Sequence, residues 1–201
     1  MPFALTLAQV GELNPCAGRY AYALKHLPAD TAITAAQAKA AGVTFDDLVW
    51  LACAQARKDP AVERRVRLWL ADCATRVLPI FYKVFPADLR PAQAIEAARA
   101  FANGKISAKE LAAAWAAARA AARDATWDPA RAVAGAAAGA AARAATWAAA
   151  RAAAWDAARY AAWDVARDVA RSAECEWQFD RLVLWFSEDE PEMLPLPEPG
   201  A

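Results

Sequence analysis

Between Leu111 and Arg171 the chain is mostly alanine, and the second half of this stretch carries an arginine or a tryptophan at every fourth position. Alanine is the strongest helix former because its side chain loses no conformational entropy when a helix forms. The composition therefore predicts an all-α protein almost regardless of tertiary context. The regularly spaced large residues are Arg143, Trp147, Arg151, Trp155, Arg159, Trp163, Arg167 and Arg171.

The spacing of four residues differs slightly from the repeat of an α-helix. Each step of four turns the side chain by about 400°, so the row drifts around the helix by about 40° per step. The same i±4 rows form the ridges along which helices cross at about −50°, and the alanines between them allow close approach. The pattern predicts a compact bundle of about seven to nine helices with no β-sheet, in which the start and stop signals mark the helix ends.

The alternation of arginine and tryptophan has two interpretations. A guanidinium four residues from an indole can lie on its face, and arginine with aromatic side chains binds nucleotides by stacking and phosphate contact. This favours a nucleotide-like ligand held where two subunits meet, by Trp147, Arg151, Trp155 and Arg159. In the structural interpretation, the indoles fill gaps between alanine-lined helices while the arginines extend to water. Pairs such as Asp156–Arg159 favour the structural one, because i,i+3 ion pairs neutralise a helix surface.

Charge is balanced over the whole chain but is unevenly distributed. Lys+Arg and Asp+Glu number 23 each, so no global charge points to nucleic acid or to an anionic membrane as a partner. The last fifteen residues, 187–201, contain five acidic residues, four prolines and no basic residue. Residues 1–186 therefore carry a formal charge of +5. A mildly basic body followed by an extended, acidic, proline-rich tail is predicted.

The acidic tail has two open interpretations. It docks on the densest basic group of the chain, Arg64, Arg65 and Arg67, and masks a surface for a partner. Alternatively it is a solvated appendage with no structural role. The second interpretation is favoured, because an exposed ion pair contributes only about 0–1 kcal/mol.

The chain divides into three predicted parts. Residues 1–58 form a small N-terminal helical module, residues 59–186 an Ala/Arg/Trp-rich helical domain, and residues 187–201 the tail. Three capping boxes begin helices in the module. They are Thr6 with Gln9, Thr34 with Gln37, and Thr44 with Asp47.

Further signals mark the helices of the second part. Asp59-Pro60 begins a long helix, which we expect to end at Pro79 and to be followed by an aromatic turn over residues 80–85. Gly104 is suited to end the next helix in the left-handed conformation. Ser107 begins the alanine-rich helix with a capping box, and the last helix is expected to end at Trp185 or Phe186.

The sequence lacks the usual signatures of catalysis and metal binding. The four cysteines form no C-x-x-C pair and His26 is the only histidine, so no metal and no cofactor are predicted. Cys53 and Cys73 lie in apolar helical contexts and are expected to be reduced core residues. There is no Gly-rich phosphate loop, no H-E-x-x-H and no nucleophile motif. The chain is therefore predicted not to be an enzyme.

The chain is also expected to be a soluble cytoplasmic protein. Residues 1–14 lack a basic region typical of a signal peptide. The most apolar stretch, residues 132–142, contains eleven residues, whereas a membrane-spanning helix needs about 20.

Two parts of the sequence resemble known proteins. Between Val62 and Trp177 the chain contains the motifs Arg67-Leu68-Trp69-Leu70-Ala71-Asp72-Cys73-Ala74, Val77-Leu78-Pro79, Ala94-Ile95-Glu96-Ala97-Ala98-Arg99-Ala100 and Asn103-Gly104-Lys105, followed by the Ala/Arg/Trp-rich helices. Through these motifs this part resembles the alanine-rich helical proteins of bacteria and phages called putative immunity proteins. The N-terminal module resembles a segment at the start of small phage or prophage proteins. Its motifs are Leu5-Thr6-Leu7, Cys16-Ala17 and Asp47-Leu48-Val49-Trp50-Leu51.

The resemblance implies a helical fold and a role in conflict between bacteria or between phage and host, with no catalytic residues to carry over. The leading hypothesis is a non-catalytic protein that neutralises a protein partner, a toxin or a defence factor. Interfaces draw their strongest contacts from Trp, Tyr and Arg, and Arg64, Arg65 and Arg67 are candidates. Sequestration of a nucleotide-like molecule and a purely structural helical assembly are the alternatives, and a homo-oligomer fits each of them.

Overall fold

The computed structural model describes residues 3–124, 134, 167–187 and 190–199. These residues form eight helices and one two-stranded sheet, and the all-α prediction is confirmed. The helices are α1 (Leu7–Gly11), α2 (Ala17–His26), α3 (Ala35–Ala40), α4 (Phe45–Ala56), α5 (Pro60–Tyr82), α6 (Arg90–Ala102), α7 (Ala108–Asp124) and α8 (Arg167–Trp185). The strands are β1 (Ala4–Leu5) and β2 (Ile33–Thr34).

The prediction that no sheet forms is wrong, and helix capping explains why. An N-cap residue typically has extended backbone dihedrals, and the N-caps Thr6 and Thr34 have ψ of 158° and 161°. The chain is thus extended where it enters α1 and α3. These two entries lie side by side and pair antiparallel, with Ala4 opposite Thr34 and Leu5 opposite Ile33.

The three predicted capping boxes are all present. In each box the threonine oxygen accepts from the N3 backbone, and the N3 side chain accepts from the threonine N–H. At Thr34, for example, the Gln37 N–H lies 3.2 Å from Oγ1 and Gln37 Oε1 lies 2.9 Å from the Thr34 N–H. Local sequence signals therefore fix where the short N-terminal helices begin.

The long helix α5 begins as predicted and ends later than predicted. Asp59 caps it by accepting a hydrogen bond from the Ala61 N–H at 2.8 Å, and Pro60 occupies the first turn. The helix continues through Pro79 to Tyr82, so the predicted end at Pro79 and the turn over residues 80–85 are wrong. Proline removes one backbone hydrogen bond inside a helix. Burial of Leu78 and Phe81 on either side of Pro79 offsets that loss.

The later boundaries agree with the sequence. Gly104 follows α6 with a φ of +68°, a conformation that L side chains rarely adopt. The hydroxyl of Ser107 and the carboxylate of Glu110 form the expected capping box before α7. The last helix ends at Trp185.

Helix α5 lies at the centre of the fold and packs against α4, α6 and α8, while α6 packs against α7. The core runs continuously from α4 to α8. Its largest fully buried side chains include Trp69, Phe81, Ile95, Leu182 and Trp185. The division of the chain into three parts stays a prediction.

Two cysteines lie in this core, as the sequence predicts. Cys53 and Cys73 are free thiols and are buried. Burial raises the pKa of Cys53 to about 12 and also raises the pKa of Cys73, because a thiolate loses its hydration there. Both thiols are therefore inert packing residues at neutral pH.

Candidate functional site

The sequence-predicted site residues fall into two groups. Trp147, Arg151, Trp155 and Arg159 lie outside the described residues, so their role in ligand binding stays a prediction. Arg64, Arg65 and Arg67 lie in the first two turns of α5.

Arg64 binds the acidic tail through Glu190. Its Nη1 lies 2.7 Å from each carboxylate oxygen of Glu190. Its Nε and Nη2 donate to Asn103 Oδ1, at 3.1 and 2.8 Å, directly after α6. The amide of Asn103 therefore fixes the guanidinium in the orientation that meets the carboxylate.

Arg65 binds the end of α8 and the same glutamate. Its Nη1 donates to the carbonyls of Trp185 and Ser187, at 2.9 and 3.1 Å. Its Nε lies 3.5 Å from Glu190 Oε1. The carbonyls at a helix C-terminus lack intrahelical partners and carry partial negative charge, so a guanidinium is a favourable cap there.

Arg67 differs from its two neighbours because its side chain is buried. The guanidinium donates to Glu63 Oε1 at 2.6 and 3.1 Å and lies 5.0 Å from the ring centroid of Phe101. Of the three arginines in the predicted basic group, the structure therefore brings Arg64 and Arg65 together on the tail and places Arg67 in the interior.

A buried carboxylate anchors the tail at a second point. Asp72 of α5 has no exposed surface. Its oxygens accept from Arg99 Nη2 at 3.2 Å, Arg181 Nε at 2.8 Å and the Trp185 indole at 2.9 Å. They also accept the backbone N–H of Leu194 at 3.1 Å. Hydrogen bonds to a charged group are stronger than neutral ones, and four donors compensate the desolvation of this carboxylate.

Residues 190–199, called here the docked segment, thus lie against α5 and α8, and the favoured interpretation of the tail as a solvated appendage is wrong. Arg181 also donates to the carbonyl of Glu192, and Leu196 packs against the core. Backbone and apolar contacts add to the ion pairs. We call Arg64, Arg65, Asp72 and Arg181, which contact the docked segment, the α5–α8 face.

The structure also contains a cavity that the sequence did not predict. It has a volume of about 350 Å³ and lies between the short N-terminal helices, the sheet and α4. Its wall is mostly apolar, with Leu7, Val10 and Leu51 among the lining residues. The two tyrosines of the wall are satisfied internally, because Tyr20 donates to the Leu7 carbonyl and Tyr22 to the Ala41 carbonyl.

No group of three or more His, Cys, Asp or Glu side chains in the described residues is arranged to hold a metal ion. Among those residues, every helix is too short or too polar to cross a bilayer.

The fold and the site define a class of protein, an all-α protein whose basic face is covered by its own acidic segment. Comparison with known proteins shows which family within this class matches the chain. The family model described as Imm-5 like putative immunity protein matches residues 59–183. The match covers more than half of the chain, so the chain belongs to this family, and the resemblance inferred from the motifs between Val62 and Trp177 is confirmed. The resemblance of the N-terminal module to phage or prophage proteins stays a prediction. No curated protein and no solved structure matches the chain significantly.

The family match includes the α5–α8 face but not the docked segment. Arg64, Arg65, Asp72 and Arg181 lie inside the matched residues. The docked segment lies beyond residue 183, outside them. The α5–α8 face thus belongs to the part of the chain that matches the family, whereas the docked segment does not.

Proposed function

We propose that the chain is a non-catalytic immunity protein, which neutralises a protein partner by binding to it. The observation that carries this proposal is the family match over residues 59–183. An immunity protein of this kind acts on a toxin or a defence factor and blocks its activity through a stable complex.

The α5–α8 face supports a mechanism based on binding. Arginine is enriched among the residues that dominate interface affinity, because its planar fork pairs with carboxylates through two hydrogen bonds. The fork of Arg64 is already oriented by Asn103, and 35% of its side chain is exposed. Orienting a side chain before binding reduces the entropy lost on association. This face therefore suits an acidic surface of the partner.

A stoichiometric titration tests the proposal. The chain is used to recover a partner from its native host by pull-down, and the residual activity of a toxin recovered in this way is measured against the molar ratio of the two proteins. A binding inhibitor removes the activity in proportion to its amount, with a break at a fixed whole-number ratio. Protection by far less than one chain per toxin would mean turnover, and no protection at any ratio would contradict an immunity role.

One variant sharpens the distinction from an enzyme. His26 is the only histidine of the sequence, and it is exposed. Histidine is the commonest general acid–base residue, so His26→Ala would abolish a histidine-dependent reaction. For a binding inhibitor we expect the break point of the His26→Ala variant to equal that of the unaltered chain.

A further inference from the structure

We infer that the α5–α8 face is a binding site for an acidic, extended segment of the partner, and that the docked segment occupies this site until the partner displaces it. The inference rests on the proposed function for the identity of the partner. Beyond that function, the inference names the chemistry that the face recognises, and it identifies the docked segment as an internal competitor of the partner.

The contacts of the docked segment define what the face recognises. Arg64 and Arg65 bind the carboxylate of Glu190, and Arg181 donates a hydrogen bond to the carbonyl of Glu192. Asp72 accepts a hydrogen bond from the N–H of Leu194. The face therefore contacts one carboxylate and two backbone groups, in chain order, of a segment that has no helix or strand. Extended residues advance by about 3.3 Å each, so these contacts span about 13 Å. An acidic peptide with an extended backbone reproduces all of them.

Charge also selects the occupant. Two guanidiniums converge on one carboxylate, and the docked segment brings no cation of its own, since residues 187–201 contain no lysine or arginine. A basic or neutral segment would leave both guanidiniums without a counter-charge. The face therefore discriminates for an acidic partner, as charge-complementary interfaces do.

The ion pairs at the Glu190 end of the docked segment are weak enough to exchange. Glu190 is 38% exposed, and ion pairs with that much solvent contribute only about 0–1 kcal/mol each. A tethered segment competes at an effective concentration in the millimolar range. The apparent affinity for the partner equals the intrinsic affinity multiplied by the fraction of chains whose face is free. Weakening the docked segment increases this fraction and therefore raises the apparent affinity.

The choice of variant follows from this competition. Substituting Arg64 would weaken the docked segment and the partner together, and the two effects would offset each other. Glu190→Gln removes the carboxylate from the docked segment and leaves the face intact. Glu198→Gln is the matched control, because Glu198 is exposed in the same segment and forms no ion pair with any residue that the structure describes.

The experiment uses the full chain and a fluorescein-labelled synthetic peptide of residues 187–199, followed by fluorescence anisotropy. We expect the Glu190→Gln chain to bind this peptide about tenfold more tightly than the unaltered chain does. The Glu198→Gln chain should match the unaltered chain, and a peptide that itself carries Glu190→Gln should bind about tenfold more weakly than the unaltered peptide. Equal affinities for all three chains, or absence of peptide binding to the Glu190→Gln chain, would overturn the inference.

A second measurement reports on the docked segment directly. The N–H of Leu194 donates to Asp72, so its hydrogen exchange is slowed while the segment is docked. Glu190→Gln should accelerate this exchange, and Glu198→Gln should leave it unchanged. If Glu190→Gln leaves it unchanged as well, the segment is a fixed part of the fold and the inference fails.

The toxin titration separates this inference from the proposed function. The peptide assay contains no toxin, so its result does not depend on an immunity role. If both proposals hold, Glu190→Gln lowers the concentration of chain that half-neutralises a dilute toxin, below the dissociation constant, while the break point measured at high toxin concentration stays at the same molar ratio. Neutralisation that is equal in both chains contradicts the inference alone. Peptide exchange without neutralisation contradicts the proposed function alone.

Discussion

The N-terminal helices and the helices around α5 are stabilised in different ways. In α1 and α3 a single residue is buried, Leu7 and Ala38 respectively, and α2 buries none. Their positions depend on capping boxes and on the short sheet. In α5 most residues from Val62 to Tyr82 are buried, and a carboxylate is enclosed among them. In the first region, which runs from Phe3 to the capped start of α4 at Thr44–Asp47, contacts close in sequence fix the helix starts, whereas the second region is organised by contacts between distant residues.

Polar contacts join the two regions. Lys39 of α3 reaches α8, where its Nζ lies 2.7 Å from Asp180 Oδ1 and also contacts Glu176. Burial lowers the pKa of Lys39, but the hydrogen bonds to both carboxylates outweigh burial and raise it. At the start of the chain, the Phe3 N–H donates to the carbonyl of Phe186 at 3.2 Å. The N-terminal helices therefore sit on the end of α8, beside the α5–α8 face.

The largest expected effect is the loss of the buried carboxylate at the centre of the second region. Asp72→Ala removes the fully buried carboxylate that balances the charges of Arg99 and Arg181 and accepts from the Trp185 indole. Breaking a buried ion pair by removing one partner costs about 3–5 kcal/mol. We expect a loss of this size in the free energy of unfolding, measured by urea denaturation.

The matched control is an aspartate in the first region. Asp30 is exposed, and substitutions at such positions usually change stability by less than about 0.5 kcal/mol. If Asp72→Ala and Asp30→Ala cost the same, the buried network does not stabilise the region around α5.

A pair of alanines tests the packing of the two regions. Ala71 in α5 is fully buried, so Ala71→Leu must displace its neighbours, and overpacking of this kind costs about 1–3 kcal/mol. Ala38 in α3 lines the cavity of about 350 Å³. The added methyl groups of Ala38→Leu have room there and bury apolar surface. Thermal unfolding should show a lower Tm for Ala71→Leu and an equal or higher Tm for Ala38→Leu, and the reverse order would contradict the contrast in packing.

The same contrast determines what could be predicted from the sequence. Thr6, Thr34 and Thr44 cap helices through residues three positions away, so their roles are visible in short stretches of sequence. The sequence does not predict the sheet, because each strand is only the extended chain before a helix cap. The two strands are distant in sequence and pair only in the folded chain. The end of α5 was missed because the sequence shows Pro79 but not the burial of Leu78 and Phe81 around it.

For the candidate site, the sequence indicated the partners but not the strength of their contacts. Arg64, Arg65 and the acidic tail were identified from charge. Their docking was underestimated because Leu194 binds Asp72 through its backbone and Arg65 binds two carbonyls, and neither contact depends on residue charge in the tail. The cavity had no sequence signal, since it is a gap between elements rather than a motif.

The capping boxes of the first region should each contribute a moderate amount. Thr34→Ala removes a side-chain acceptor at the start of α3 and should cost about 1 kcal/mol in the free energy of unfolding. Thr44→Ala should cost more, because the Thr44 hydroxyl also accepts from Arg19 Nη2 at 3.0 Å. Thr44→Ser keeps the hydroxyl and serves as the control in the same denaturation series. Equal stability of the alanine and serine variants would show that the caps do not hold this region.

The smallest expected effect is a dependence on acid in the first region, centred on Asp47. Burial raises the pKa of this carboxyl, but hydrogen bonds from Arg19 and Thr44 outweigh burial and hold the pKa below its usual value. A carboxyl whose pKa is lowered by folding stabilises the fold fully above its unfolded pKa of about 3.9. That contribution is lost as the pH falls through the lower, folded pKa.

The titration of Asp47 by carbon-detected NMR checks this sign. The midpoint should lie below about 3.9 in the unaltered chain and should rise in Arg19→Gln, which removes the paired cation. In Asp47→Asn, the part of the acid dependence of stability that comes from this site should disappear. A midpoint at or above the usual value in the unaltered chain would mean that Arg19 does not hold the start of α4. The first region would then depend on its hydroxyl caps alone, which makes its contrast with the charged network around Asp72 sharper still.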